Sequence, residues 1–247
     1  MRKLRDVFLD LLLRYLITDP IAKLPTILSL VEKLEKGHIY EAEIRAAREA
    51  LADETGVWRK FAERLFDEVD RNSLQKMVEG LVINASMVGG AHSRALEAEH
   101  GCNIPWAILM DPTSFCNLSC IGCWAAQYSR DDNLSYETMD SICRQGKELG
   151  IHFYIFSGGE PLVRKDDVIR LCEEHYDCYF LSFTNGTLVD EALCKDLQRI
   201  GNLALAFSIE GDQSATDMRR GEGTFRKVVE AMECMRDHRL LFGYSTC

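Results

Sequence analysis

Residues 104–124 read IPWAILMDPTSFCNLSCIGCW, an apolar run of strand length followed by a polar loop that holds three cysteines. Cys116, Cys120 and Cys123 have C-x3-C-x2-C spacing, which places three thiolates in one short loop. A structural zinc ion takes four protein ligands, and a simple ferredoxin cluster takes four cysteines. Three sulfurs on a four-iron cluster would leave one iron open to a substrate or a cofactor. The loop therefore predicts chemistry at a metal rather than a structural cross-link.

The composition limits the class of protein. Hydrophobic residues make up 47% of the 247 residues, enough for a sizeable core, and the net charge is −10. Because phosphate binding needs a basic surface, no nucleic-acid partner is expected. No apolar stretch is long enough to predict a transmembrane segment. Ten cysteines without a secretory signal favour reduced thiols, so we expect a cytoplasmic protein.

The first part of the chain has helical periodicity. Apolar residues recur there at three- and four-residue intervals, which predicts an all-α N-terminal domain over residues 1–100. The expected helices begin near residue 4 and cover about 41–54, 57–69, 73–88 and 92–99. The first helix has a basic start and a wide apolar face, which suits a membrane surface, although packing on neighbouring helices is the expected interpretation. No motif in this domain predicts chemistry.

From residue 101 the pattern changes to short strands that alternate with helices. Strands are predicted at 104–110, 152–156, 179–183, 203–208 and 240–244, with helices at 136–149, 166–174, 191–200 and 224–237. This alternation is typical of parallel strands with right-handed crossovers. The residues just beyond the strand ends form the working face of such folds. Polar or glycine-rich segments lie there, at 111–124, 157–161, 184–186 and 208–211.

The cysteine loop, together with Gly158-Gly159-Glu160-Pro161 after the second predicted strand, resembles the radical S-adenosylmethionine (radical SAM) superfamily. The resemblance covers roughly residues 104–247. Residues 219–225, RRGEGTF, are similar to a segment of the branch that includes molybdopterin-biosynthesis and SPASM-type peptide-modifying enzymes. The resemblance implies an α/β fold class, a partial (βα)6-type TIM-like barrel preceded by the all-α domain.

About five βα units of that barrel are present, where the resembled fold has six. We therefore expect the radical SAM core domain at 101–247 to be incomplete at its C-terminal end. The alternative is a shorter barrel that a partner or the helical domain completes.

The resemblance also implies a cofactor site. Cys116, Cys120 and Cys123 would bind three irons of a [4Fe-4S] cluster, and the amino and carboxylate groups of SAM would chelate the fourth. Gly158 and Gly159 would let the backbone approach the methionine portion. Glu160 would support the amino group through a charge-assisted hydrogen bond. A plain strand-to-helix turn is the alternative for this segment.

Further cofactor contacts are expected from the remaining loops. Ser208 and Glu210 suit the ribose hydroxyls, and Thr184 and Asn185 are expected to line the pocket. Gly122 stands where many family members have an aromatic residue against the adenine, so a backbone contact is expected from it. Each assignment has a plain alternative, because Asn-Gly is a common turn and Glu-Gly suits a solvated loop.

Several neighbouring residues are given no firm role. Trp124 would supply the ring that Gly122 lacks or would pack in the core. Arg219 and Arg220 suit a carboxylate or phosphate ligand as well as they suit solvent. The cysteines outside the loop are expected to be small buried hydrophobes or unpaired thiols, and none of the six histidines is predicted to be a ligand.

The function expected from the resemblance is that of a radical SAM enzyme. A reduced cluster would cleave SAM to a 5′-deoxyadenosyl radical, which would abstract hydrogen from an unidentified substrate. An electron donor such as flavodoxin or ferredoxin is an expected partner. The alternatives are a non-catalytic iron–sulfur protein, either an electron carrier or a degenerate relative, and a helical adaptor supported by the barrel.

Overall fold

The computed structural model describes residues 23, 25, 26, 28, 29, 41–127 and 131–246. The helix expected to begin near residue 4 lies outside these residues. Within them, none of the helices combines the length and the apolar character that crossing a membrane requires. The chain divides into two compact units, Met1–Arg71 and Asn72–Cys247.

Helices precede the sheet, as the periodicity predicts. They are α1 (Glu41–Ala52), α2 (Val57–Glu68), α3 (Arg71–Met77), a π-helix (Val78–Gly89) and α4 (Gly90–His100). Two ion pairs lie along α2, and each joins residues that are four positions apart. Arg59 pairs with Glu63 at 3.0 Å, and Arg64 pairs with Glu68 at 2.8 Å. Such pairs on a helix surface contribute little to stability.

The second unit contains five parallel strands in the order β1-β2-β3-β4-β5. The strands are β1 (Ala107–Met110), β2 (Phe153–Phe156), β3 (Tyr179–Thr184), β4 (Leu203–Ser208) and β5 (Phe242–Ser245). The crossover helices are α5 (Tyr136–Glu148), α6 (Lys165–Glu174), α7 (Glu191–Ile200), α8 (Gln213–Arg220) and α9 (Thr224–Asp237). Among the described residues, β1 and β5 do not pair, so the sheet is open. The α/β fold class and the partial barrel of five strands are confirmed.

The main core lies between the sheet and the crossover helices. Alternate strand residues point to this side, and Tyr154, Phe156, Phe180 and Phe207 are all fully buried there. The rings of Phe156 and Phe180 stack with centroids 5.5 Å apart. Burial of each such side chain stabilises the fold by about 1.5–3 kcal/mol. The short apolar runs that predict the strands therefore supply the side chains that fill this layer.

The opposite face of the sheet is covered by the π-helix. Ala85 packs with Phe153, Tyr179 and Ala204, which lie near the amino ends of their strands, and Leu81 borders this group. The division at Arg71 and Asn72 thus differs from the boundary expected at 100/101. The periodicity shows that these residues are helical, but it does not show that their apolar face has the sheet as its partner.

Polar side chains of residues 72–93, here called the strap, bind carbonyl groups at or shortly after the carboxyl ends of three crossover helices. The amide of Asn72 donates to Gln198 O at 2.8 Å, the amide of Asn84 to Asp177 O at 2.9 Å, and the hydroxyl of Ser93 to Leu149 O at 2.8 Å. The last carbonyls of a helix have no partner within it. The strap supplies those partners, so it is an integral part of the second unit.

Helix α8 was not predicted. Its sequence, QSATDMRR, has few apolar residues and no clear periodicity. The signals for it are local, because Asp212 caps the helix by accepting a hydrogen bond from Ala215 N at 2.8 Å and Gly221 follows its last residue.

Candidate metal and cofactor site

One cavity of about 290 Å³ lies at the carboxyl ends of the strands. Its walls combine the cysteine loop with the segments that follow β2, β3 and β4. They include Cys116, Cys120, Cys123, Trp124, Gly158, Gly159, Glu160, Thr184, Asn185, Ser208, Arg219 and Arg220. The structure thus brings together nine of the eleven residues expected at the site. Gly122 and Glu210 lie outside this lining.

Backbone hydrogen bonds fasten the cysteine loop to the segment after β2. Gly159 N donates to Thr113 O at 2.9 Å, and Glu160 N donates to Phe115 O at 2.8 Å. A Cβ at Gly159 would overlap the Phe115 carbonyl. Gly158 has φ of +100°, and a Cβ there would lie 2.8 Å from Thr113 O. Both glycines are therefore required by the close approach of two loops, in addition to any contact with a cofactor.

Glu160 joins the loops after β2 and β3. Its carboxylate is buried, and it accepts hydrogen bonds from Thr184 Oγ1 at 2.8 Å, Leu162 N at 3.0 Å and Asn185 N at 2.7 Å. Burial raises the pKa of Glu160, and these hydrogen bonds oppose that rise. The side chain expected to contact a cofactor directly is thus also a structural link beneath the cavity.

An amide network links Asn185 to the cysteine loop. Asn185 Nδ2 donates to Asn117 Oδ1 at 2.8 Å and lies 3.8 Å from Cys116 Sγ. Thr187 closes the network, since its hydroxyl donates to Asn185 Oδ1 at 2.7 Å and accepts from Asn117 Nδ2 at 2.8 Å. Leu118 N adds a second N–H group 3.5 Å from the same sulfur. The position of Cys116 therefore depends on the loop after β3.

The thiols of the loop are free and partly buried. Burial raises the pKa of both Cys116 and Cys120, and the Arg220 charge opposes this at Cys120. A metal must displace the thiol protons when it binds. Three soft thiolate donors beside one cavity fit an iron–sulfur cluster, and cysteine is its usual ligand.

Arg219 and Arg220 surround Glu210, which was expected to contact ribose. Arg220 donates to both carboxylate oxygens at 2.6 and 2.7 Å, and Arg219 donates at 3.1 Å. Arg219 also holds the cysteine loop, because its carbonyl accepts a hydrogen bond from Ile121 N at 2.8 Å. Arg219 and Arg220 both line the cavity. The sequence assigned no firm role to these arginines, although they lie in the RRGEGTF segment that follows the fourth strand.

Gly122 and Trp124 lie at the end of the cysteine loop. Gly122 has φ of +70° and open space around its Cβ position, so its backbone conformation is what requires glycine. Trp124 is 59% exposed and lines the cavity. It is therefore not a core residue.

These features define an α/β partial-barrel protein with a cavity lined by three free cysteines at the carboxyl edge of its sheet. The family model of the radical SAM superfamily matches residues 110–243. The chain belongs to this superfamily, which implies an iron–sulfur cluster and SAM.

Relatives with named activities match parts of the chain. A probable GTP 3′,8-cyclase from Methanothermobacter marburgensis is 39% identical over 32% of this chain and 27% of that protein. An AdoMet-dependent heme synthase from Methanosarcina barkeri is 31% identical over 54% of this chain and 40% of that protein. Family membership and these relatives indicate an enzyme. The chain spans about half or less of the length of the curated relatives it matches.

A solved structure shows the same fold. The crystal structure of Streptococcus suis SuiB bound to S-adenosylmethionine aligns with a TM-score of 0.55 at 19% identity. The alignment covers 64% of this chain and 37% of that protein.

Proposed function

We propose that the protein is a radical SAM enzyme whose [4Fe-4S] cluster is bound by Cys116, Cys120 and Cys123. The observation that carries this proposal is that three free thiols share one cavity with the segments following β2, β3 and β4. The bound cluster and SAM would supply an electron and a 5′-deoxyadenosyl radical that abstracts hydrogen from a substrate. The chain itself binds, orients and shields these groups.

The loops around the cavity would orient SAM. Glu160 would bind the amino group of SAM directly. It would also act through Thr184 and Asn185, because its carboxylate holds both residues in place. Ser208 offers a hydroxyl to the ribose. Glu210 would act through Arg219 and Arg220, since its carboxylate oxygens already accept their hydrogen bonds.

The guanidinium groups of Arg219 and Arg220, which line the cavity, would attract the SAM carboxylate. Gly122 would contribute a backbone contact toward the adenine, with Trp124 as the neighbouring ring.

The partners and the compartment follow from this chemistry. Cleavage of SAM consumes an electron, so a low-potential donor such as flavodoxin or ferredoxin is proposed. The cysteines within the described residues are free, which suits a reducing compartment such as the cytoplasm.

The proposal is tested by product formation. Protein reconstituted anaerobically with iron and sulfide, then given SAM and dithionite, should release 5′-deoxyadenosine and methionine. Cys120→Ser should lose this activity, whereas Cys102→Ser should keep it because Cys102 is exposed and does not line the cavity. A cluster-loaded protein that forms no 5′-deoxyadenosine would instead be a non-catalytic iron–sulfur protein.

A further inference from the structure

Three ligand-bearing side chains meet where α7 packs against α9. Cys194 is on α7 and Cys234 is on α9, and their sulfurs are 3.0 Å apart. His238 follows the last residue of α9, with Nδ1 3.9 Å from Cys234 Sγ. One donor atom from each residue lies within 4.8 Å of the other two. None of the three lines the cluster cavity.

We propose that Cys194, Cys234 and His238 form a second metal site, for a single thiophilic divalent cation such as Zn²⁺. Two cysteines and a histidine are a common zinc donor set. Zinc–ligand bonds of about 2.0–2.3 Å place neighbouring donors of a tetrahedral site roughly 3.3–3.8 Å apart. The two sulfurs therefore need to separate by less than about 1 Å, which a small side-chain rotation allows.

The sequence spacing suits such a site. Cys234 and His238 are four residues apart, so His238, the C-cap residue of α9, lies one turn after Cys234. Glu191 lies one turn before Cys194, and its carboxylate interacts electrostatically with His238. In the structure Glu191 pairs with Lys195 at 2.9 Å, but this pair is exposed and contributes little stability. Glu191 or a water molecule would take the fourth position.

The burial gradient also suits metal entry. Cys194 is fully buried, whereas Cys234 and His238 are both partly exposed to solvent. His238 Nδ1 lies 2.9 Å from the Cys234 carbonyl oxygen. The nitrogen that lies 3.9 Å from Cys234 Sγ is this same Nδ1, so a metal bound through Nδ1 would take the place of the carbonyl contact.

A second group of potential ligands is less suitable. His175, Asp177 and Cys178 also lie close together. Asp177, however, already pairs with Lys147 at 3.1 Å, and His175 Nε2 lies 3.0 Å from Asp140. A metal there would have to displace Lys147 from Asp177 and would have one thiolate instead of two, so the Cys194 group is the better candidate.

The test uses the full chain with Cys116, Cys120 and Cys123 all changed to Ala, which removes the competing thiols of the cluster loop. Under anaerobic conditions this protein should retain one Zn²⁺ per chain after gel filtration. With Co²⁺ it should develop thiolate-to-cobalt charge-transfer absorption. In this background Cys234→Ser and His238→Gln should each weaken zinc binding at least tenfold. Cys102→Ser and Cys178→Ser are the matched controls and should not change it.

Three results would overturn the proposal. The first is a protein that retains no stoichiometric zinc. The second is zinc binding that Cys178→Ser removes and that Cys234→Ser and His238→Gln leave intact. The third is a Cys194–Cys234 disulfide, found by thiol counting in anaerobically prepared protein. Circular dichroism checks that each variant is folded, and His238→Gln provides a test that leaves the buried sulfur untouched. Because the background lacks the cluster ligands, the result is independent of the proposed activity.

Discussion

At the residue scale, the structure adds most at Glu160. The sequence indicates a residue near a cofactor, and the structure shows that its carboxylate accepts three hydrogen bonds, two of which join the loops after β2 and β3. The two partners in the second loop, Thr184 and Asn185 N, could not be predicted because the loops meet only after the strands pair. Arg219 and Arg220 are a similar case, since nothing in their spacing indicates the contact with Glu210.

Glu160→Gln is expected to lower both stability and SAM affinity. The amide has one acceptor oxygen fewer than the carboxylate, so a buried donor loses its partner at a cost of about 1–3 kcal/mol. Urea unfolding measures the first effect, and equilibrium binding of SAM to the cluster-loaded protein measures the second. Glu222→Gln, at an exposed position, serves as the control. Equal behaviour of the two variants would contradict the role given to Glu160.

Asn185→Leu is expected to shift the cluster reduction potential to more negative values. The substitution removes an N–H group 3.8 Å from Cys116 Sγ, and hydrogen bonds to the ligating sulfurs help to set cluster potentials. An electron paramagnetic resonance titration of the reconstituted protein measures the midpoint. Asn133→Leu, in an exposed loop, should leave the midpoint unchanged. If the midpoint of Asn185→Leu equals the wild-type value, the amide network does not influence the reduction potential of the cluster.

At the scale of elements, regular alternation allowed most of the barrel to be predicted. The five strands and four of the crossover helices were found because apolar spacing marks both. Helix α8 was missed because it is polar and depends on its cap at Asp212. The position of the strap could not be predicted either, because an amphipathic pattern shows that a helix has an apolar face but not which surface covers that face.

Gly89→Ala tests the packing of the strap. A Cβ at Gly89 would overlap the Gly150 carbonyl, and overpacking of this kind costs about 1–3 kcal/mol. Chemical denaturation should show the loss. Gly243→Ala is the matched control, because its Cβ would meet nothing within 4 Å, and it should change stability by less than about 0.5 kcal/mol. A Gly89→Ala protein as stable as the wild type would contradict the close contact between the strap and the Gly150 carbonyl.

At the scale of the molecule, the partial barrel converts separate sequence segments into one site. Parallel pairing places every carboxyl strand end at the same edge, so the cysteine loop and the segments after β2, β3 and β4 line one cavity. This convergence was predictable from strand order and is the basis for the proposed SAM site. The substrate was not predictable, because its contacts depend on side chains that vary within one fold.

The central claim is that SAM binds the cluster held by Cys116, Cys120 and Cys123. It is tested most directly by electron paramagnetic resonance of the dithionite-reduced, reconstituted protein recorded with and without SAM. If SAM binds the open iron, its addition should change the g-values of the reduced cluster. A spectrum that SAM leaves unchanged, in protein shown to contain four irons per chain, would contradict the account.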